Sequence, residues 1–352
     1  MTDNVKENTK EYYGKVLKKS TDLKTNACCT SVKYPRHIIN IIKNIHDDVV
    51  TSYYGCGLVV PDCLKGANVL DLGSGSGRDV YILSSLVSQE GQVVGVDMTE
   101  EQLAIANAHV DHQTKAFGFD KSNVKFLKGD IEKLDELGLE KESFDVVVSN
   151  CVVNLAEDKE AVLRQTYDLL TTGGEMYFSD VYSDRRIPEH LRKDKVLWGE
   201  CLSGALYLND FLSLAKKTGF TDPRMVSINR ITVKNKELEA KLGNIKFYSI
   251  TYRLFKLPDM LDDNCEDYGQ AVAYNGTIEH CPNEWKLDDH HVFETGKVVP
   301  VCQNSFNMIY MSRFRDHFTF IGKNDVHYGI FPGCGQSLPF DKADGKDNSG
   351  CC

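Results

Sequence analysis

Three cysteines stand where a thiolate could meet a ligand: Cys56, Cys151 and Cys201. Cys151 follows the apolar run Phe144 to Val148, within Ser149-Asn150-Cys151-Val152-Val153-Asn154. That run reads as a buried parallel strand. Ligands of doubly wound sheets bind beyond the carboxyl ends of the strands, so a thiol at this position faces the ligand crevice. Cys201 lies fifty residues later, in a helical stretch that holds Trp198-Gly199-Glu200. Cys56 sits between Gly55 and Gly57, a setting that suits a mobile loop better than a core. Thiolates prefer soft acceptors, so such a set could hold a soft substrate. Taken alone, Cys151 would serve equally as a small buried apolar group and Cys201 better as one, whereas the glycines beside Cys56 favour reactivity over packing.

The elements that must position these thiols begin with Val69-Leu70-Asp71-Leu72, an apolar strand running into Gly73-Ser74-Gly75-Ser76-Gly77. A helical pattern follows, with Tyr81, Ile82, Leu83 and Leu86 on its apolar side. Glycines let the backbone turn tightly and approach a ligand closely. The dinucleotide fingerprint would need glycine where Arg78 stands. The spacing is instead G-x-G-x-G, with Asp71 two residues ahead, and it resembles motif I of class I S-adenosylmethionine (SAM) methyltransferases. A second strand, Val93 to Val96, ends at Asp97, 24 positions after Gly73 and near where an acid hydrogen-bonds a ribose in such folds. Met98 follows it. A third strand from Val124 ends near Asp130 and Ile131, at the adenine position of the methyltransferase pattern. The candidate cofactor-binding residues are therefore Tyr54, Asp71, Gly73, Gly75, Asp97, Met98, Asp130, Ile131, Asn150 and Cys151. Tyr54 and Trp198 are candidate aromatic faces for a cationic sulfonium.

The chain has 352 residues, enough for a substantial core and more than one unit. A net charge of -10 argues against sequence-independent binding to a nucleic-acid backbone. No apolar run is long enough for a transmembrane helix, and no apolar signal segment opens the chain, so a cytoplasmic protein is expected. Twelve cysteines are many for that compartment, and they form no C-x-x-C pair or zinc-finger spacing. The expected organisation is an N-terminal helical extension over 1–66, a core over 67–185, an inserted region over 186–257 and a C-terminal region over 258–352. The last is mobile from about 341. Core strands are expected near 68–72, 93–97, 124–128, 144–149 and 174–181, with helices over 77–88, 100–117 and 158–171. Helical patterns also cover 37–54 and 208–217, and strand-like alternation covers 225–233 and 246–255. Residues 264–340 read as short strands and loops.

The chain resembles the arsenite methyltransferase family of the animal type. The resemblance rests on Tyr12-Tyr13-Gly14, Asp22 to Cys28, Arg36-His37-Ile38, Tyr53 to Leu58, Asp71 to Asp79, Asp97-Met98-Thr99 and Ser149 to Asn154. It continues through Tyr177 to Tyr182, Lys195 to Cys201, Gly204 to Tyr207 and Tyr252 to Lys256. It spans roughly residues 10–256, and residues 257–352 resemble the family's C-terminal region only loosely. The fold it implies is a class I SAM-methyltransferase doubly wound α/β sheet with an N-terminal extension, an arsenic-binding insertion and a small C-terminal domain. It implies four functional cysteines, Cys28, Cys56, Cys151 and Cys201. Cys151 and Cys201 would keep arsenic through successive methylations, Cys56 would complete the capture of arsenite, and Cys28 would be its disulfide partner. Here Cys28 is followed by Cys29, where the family pattern has a single thiol, which leaves open which of the two pairs with Cys56.

These resemblances imply SAM-dependent methylation of arsenite, or of its glutathione conjugate, to methyl- and dimethylarsenicals. Thioredoxin or glutathione would serve as reductant, and the chain would act as a monomer. Two alternatives remain open on sequence. A methyltransferase of an organic small molecule would tolerate Cys151→Ser. A thiol-based metalloid-binding protein would bind arsenic without SAM, against which the intact Asp71, Gly73, Gly75 and Asp97 argue.

Overall fold

The structure is a computed structural model that describes Lys10 and residues 34–233 and 235–334. The chain divides into two compact units, Met1–Lys256 and Leu257–Cys352. The expected helix at the N-terminus, Cys28, Cys29 and the tail from 341 lie outside the described residues.

In the first unit, α1 (Arg36–Ile42) and α2 (Asp47–Thr51) precede the sheet. Then come β1 (Asn68–Leu72), α3 (Arg78–Val87), β2 (Gln92–Asp97), α4 (Glu100–Ala108), α5 (Val110–Ala116) and β3 (Val124–Lys128). β4 (Phe144–Asn150), α6 (Lys159–Leu169) and β5 (Leu170–Ser183) complete the alternation. Beyond them lie α7 (Glu189–Arg192), α8 (Lys195–Gly199), β6 (Leu206–Tyr207), α9 (Leu208–Lys217), β7 (Arg224–Ile231), α10 (Lys236–Leu242) and β8 (Phe247–Phe255). The strand order is β3-β2-β1-β4-β5-β8-β7, with β6 paired to β5. β3, β2, β1, β4 and β5 run parallel, while β8 is antiparallel to both β5 and β7. The order reverses between β1 and β4, the place where such sheets open a crevice beyond their carboxyl ends. Continuous apolar runs suit strands covered on both faces, and Val146, Val147 and Val148 are fully buried.

Three elements differ from the sequence expectation. The helix expected over 100–117 breaks at His109, which ends α4 and precedes α5. The stretch over 37–54 holds two short helices, because Asn44 and Ile45 donate to Ile41 and Ile42 in tight turns. Gly173-Gly174, expected to follow a helix over 158–171, lie within β5. Their backbone groups pair with Lys256 instead, as Gly173 N donates to Lys256 O and Lys256 N to Gly174 O, each at 2.9 Å. That pairing comes from a strand distant in sequence, so no local pattern announces it.

The second unit carries a three-stranded sheet in the order β13 (Val298–Pro300), β10 (Ala271–Tyr274), β14 (Phe318–Ile321). It also has two strand pairs, β11 (Glu284–Lys286) with β12 (Val292–Glu294), and β9 (Glu266–Asp267) with β15 (Gly329–Ile330). Its core is aromatic, with Trp285 4.5 Å from Phe314 and 5.5 Å from Phe318 between ring centroids. A helix, α11 (Gln303–Tyr310), appears where only strands and loops were expected, burying Phe306, Met308 and Ile309. Among the described residues no helix is long and apolar enough to cross a membrane.

Candidate active site

The glycine-rich turn after β1 is pinned by β2. Gly73 N and Ser74 N donate to Val96 O at 2.8 and 3.0 Å. Gly73 has φ +77°, and a Cβ there would lie 2.3 Å from Val152 Cγ2, so both conformation and space require glycine. Asp97 acts on the same turn, since Oδ2 accepts from Gly75 N and Oδ1 from Thr99 N, each at 2.8 Å. Sequence spacing pointed to a ribose partner at Asp97 but gave no sign that it also holds the loop.

One cavity opens at the β1/β4 switch point, and all ten candidate cofactor residues line it: Tyr54, Asp71, Gly73, Gly75, Asp97, Met98, Asp130, Ile131, Asn150 and Cys151. Asp79, Thr99, Gln102, Glu132, Val152 and Leu155 also line it, and sequence reasoning had not singled them out as ligand contacts. Burial pushes the Asp71 carboxyl well above the ordinary carboxylate range, and neighbouring Asp79 and Asp97 push it further. Burial also raises Asp97, against the lowering effect of hydrogen bonds from Thr99 and Gly75. Asp79 is ion-paired with Arg78 at 2.8 Å, and the guanidinium lies 3.2 Å from the Tyr53 ring centroid. Acids gathered at a partly apolar cavity suit a cationic ligand. Among the described residues the buried Ser74 hydroxyl on this wall has no hydrogen-bond partner, leaving a polar group for a ligand to satisfy.

The thiols meet where β4 ends, beside Ser179 and Asp180 of β5. Asn150, the last residue of β4, is the clasp: its Oδ1 accepts from Cys56 N at 2.9 Å and Gly57 N at 3.2 Å. Its Nδ2 donates to Gly57 O, Tyr53 OH and Asp79 Oδ2 at 2.9, 2.7 and 3.0 Å. Ser249 Oγ on β8 donates to Cys56 O at 2.8 Å. Glycine is needed at 57 because a Cβ there would lie 2.3 Å from Ser179 Oγ on β5. The loop can therefore lie flat on the sheet end, and Cys56 is disulfide-bonded to Cys151 across a Cα–Cα distance of 5.8 Å. This departs from the Cys28–Cys56 pairing that the resemblance implied, because Asn150 holds the Cys56 backbone beside Cys151.

Cys201 joins them, its Sγ donating to Cys151 O at 3.3 Å. Cys56, Cys151 and Cys201 are all buried. Cys151 and Cys201 adopt left-handed backbone conformations, with φ of 59° and 58°. Such positions cost a side-chain-bearing residue about 1–3 kcal/mol and gather at functional sites. Sequence reasoning missed Asp180, whose carboxylate and the Cys56 and Cys151 sulfurs all lie within 4.8 Å of one another. An acid inside the apolar run Met176 to Tyr182 was the available signal. Burial pushes its carboxyl up to about 7, against hydrogen bonds from Val181 and Asn154. Burial pushes the nearby Lys159 amine down to about 8, while Asp180 and Glu132 act in the opposite direction. Trp198 stands over Lys159, whose Nζ is 5.6 Å from its ring centroid, and it is not among the residues lining the cavity. Of the two aromatic candidates for a sulfonium, only Tyr54 reaches that wall.

A family profile described as a methyltransferase domain matches residues 64–296. One described as the arsenite methyltransferase C-terminal domain matches 268–342, a stretch whose resemblance by motif was loose. An arsenite methyltransferase of Aquipseudomonas alcaligenes is 55% identical over 336 residues, covering 96% of each chain. That of Rattus norvegicus is 49% identical over 318 residues, covering 90% of this chain and 85% of the rat protein. Among solved structures, the arsenic(III) S-adenosylmethionine methyltransferase of Chlamydomonas reinhardtii superposes with a TM-score of 0.83 at 48% identity, covering 85% of this chain and 100% of that one.

Proposed function

The chain belongs to the arsenite methyltransferase family, and from that premise we propose that thiolates of Cys56, Cys151 and Cys201 hold trivalent arsenic as it is methylated from SAM. The observation that carries this reading is the convergence of the three cysteines at the carboxyl end of β4, with Cys151 also on the wall of the cavity. SAM supplies an electrophilic methyl group on a cationic sulfonium. The residues that would hold it are the glycine turn at Gly73 and Gly75, Asp97, the Asp130-Ile131 wall and Tyr54, with Ser74 offering an unsatisfied hydroxyl. A cation beside Asp71 would favour the charged carboxylate that burial and its acidic neighbours oppose.

Trivalent arsenic is soft, takes three sulfur ligands and keeps a lone pair. Capture from a glutathione conjugate exchanges each As–S bond, with the cysteine proton leaving on released glutathione. Three fixed sulfurs orient the lone pair, so positioning supplies most of the catalysis and no general base is required. Methylation oxidises arsenic from trivalent to pentavalent. Two cysteine thiolates return the two electrons by joining in a disulfide, and an external thiol takes the vacated position on arsenic. The Cys56–Cys151 bond is a disulfide of this kind, and Cys28, outside the described residues, is the other partner that the family pattern offers Cys56. Thioredoxin or glutathione then resets the pair by thiol–disulfide exchange. Methylarsenite needs only two protein thiols, Cys151 and Cys201, and yields the dimethyl product.

The test is methyl transfer from labelled SAM to arsenite and to methylarsenite, with glutathione and thioredoxin present, for wild type and Cys56→Ser. The variant is expected to lose methylation of arsenite and keep that of methylarsenite. Wild-type rates on arsenite would refute three-thiol capture.

A further inference from the structure

Three side chains that can ligate a metal meet in the first unit, outside the cofactor cavity. His46 immediately precedes α2, Asp48 lies on it, and His109 stands at the break between α4 and α5. None of the three lines the cavity. One ligand atom from each lies within 4.8 Å of the other two. Asp48 Oδ2 is 3.6 Å from His46 Nδ1 and 3.3 Å from His109 Nε2. Gln113 on α5 fixes the backbone for this meeting, since its Oε1 accepts from His46 N at 3.1 Å and its Nε2 donates to Asn44 O at 3.2 Å. Asp48 N donates to His46 Nδ1 at 3.2 Å, so the Nδ1 lone pair faces Asp48. Two imidazole nitrogens thus face one carboxylate oxygen, an arrangement that a cation completes. The two histidines are far apart in sequence, and only the fold brings them together.

We propose that His46, Asp48 and His109 form a site for a divalent transition-metal ion of the zinc class. Bonds of about 2.1 Å in a tetrahedral shell set ligand atoms about 3.4 Å apart. The separations of 3.3 and 3.6 Å match that shell. Imidazole suits zinc, nickel and copper, whereas magnesium and calcium prefer oxygen ligands and trivalent arsenic prefers thiolates. The rings of His46 and His109 stack with centroids 3.8 Å apart and planes inclined by 19°. To aim both nitrogens at one ion they turn out of that stack, which the broad torsion of the ring permits. The ion takes the Nδ1 lone pair from a long hydrogen bond, and water can replace that bond beside the exposed Asp48. Three protein ligands leave a fourth position for water. His112 on α5, edge-on to His46 with centroids 5.2 Å apart, is a further imidazole at hand. A bound ion clips α2 to the α4–α5 corner. Ser76 Oγ of the glycine turn donates to Val49 O of α2 at 2.9 Å, and Ser52, Tyr53 and Tyr54, which follow α2, line the cavity. The role of the ion is therefore to fasten the segment that enters the cofactor wall, with no part in the chemistry.

The experiment titrates the full-length chain with cobalt(II), whose absorption distinguishes nitrogen and oxygen ligands from thiolates, alongside full-length Asp48→Asn and His109→Gln. Both substitutions keep a polar side chain of similar size, and melting curves without metal verify that each variant folds. Wild type is expected to show cobalt bands of nitrogen and oxygen coordination that both variants lack, whatever sulfur-to-cobalt charge transfer the thiols add to all three. Zinc should displace that cobalt. Loss of an outer partner of a metal ligand costs about 10–100-fold in affinity, so loss of a ligand should cost at least as much. Zinc should also raise the melting temperature of wild type more than that of either variant. The same cobalt bands and affinity in wild type and both variants would overturn the proposal, as would cobalt held in wild type through sulfur alone.

Discussion

Gly57→Ala tests how the capture loop is seated. The backbone of Gly57 is not left-handed, so alanine meets no conformational objection there; the obstacle is space. An added Cβ would fall 2.3 Å from Ser179 Oγ and 2.6 Å from Ser179 Cβ, about 1 Å inside the 3.4 Å at which ordinary contact begins. Overpacking of this kind costs about 1–3 kcal/mol. Either the loop rises or Ser179 retreats, and both hold the site: Cys56 follows the loop, while Cys151 N donates to Ser179 O at 2.8 Å. A displacement of about 1 Å can lower a rate about 100-fold. Initial rates should therefore fall by about that factor on arsenite and by much less on methylarsenite, for which Cys56 is dispensable. Ser179→Gly removes both clashing atoms and should restore most of the loss, whereas Ser179→Ala leaves the Cβ in place and should restore less. A double-mutant cycle should return a coupling of about 1–2 kcal/mol. Gly57→Ala with wild-type arsenite kinetics and unchanged melting temperature would refute the close-approach argument.

Other outcomes follow from the same geometry. Asn150→Ala leaves Cys56 N and Gly57 N without their shared acceptor, at about 1–3 kcal/mol for each donor left buried and unpaired, readable by denaturant titration of the reduced protein; a loss under 0.5 kcal/mol would contradict the clasp. Asp97→Ala should weaken SAM binding measured by calorimetry, both as a proposed ribose partner and through the freed Gly75 loop; unchanged affinity would sink both roles. Asp180 has its carboxyl raised to about 7 in the fold, so the protonated form is favoured there and the stability this confers is lost as pH rises from the ordinary carboxylate range through 7. Asp180→Asn cannot titrate, so its stability relative to wild type should improve from pH 5 to pH 7.5, by at most about 3 kcal/mol at about 1.4 kcal/mol per unit. Stopping at 7.5 stays below the loss of charge at Lys159, which is lowered to about 8. A flat difference across that range would remove the case for a raised carboxyl.

The division between sequence and fold runs along the range of the interactions. The glycine turn, the acid-ended strand and the order of strands were legible because each is a local pattern: Gly73 needs a conformation that other residues reach at a cost, and apolar runs need burial on both faces. Those patterns, together with the methyltransferase resemblance and an aromatic face for a sulfonium, point to ten residues, and all ten line one crevice. The C-terminal helix α11 was missed because its short apolar side also reads as loop and strand. The break at His109 and the placement of Gly173-Gly174 inside β5 depend on partners elsewhere in the chain. The sequence by itself determined which chemistry is available, because residue type and local spacing set the glycine turn and supply the thiols. Only the tertiary structure decided which thiols meet: Asn150 seats the Gly55–Gly57 loop against Ser179 of β5, and the sheet brings Asp180 beside the sulfurs. The physical reason is that backbone conformation is chosen over a few residues, whereas a sulfur–sulfur contact between positions 56 and 151 is chosen by the packing of every element between them.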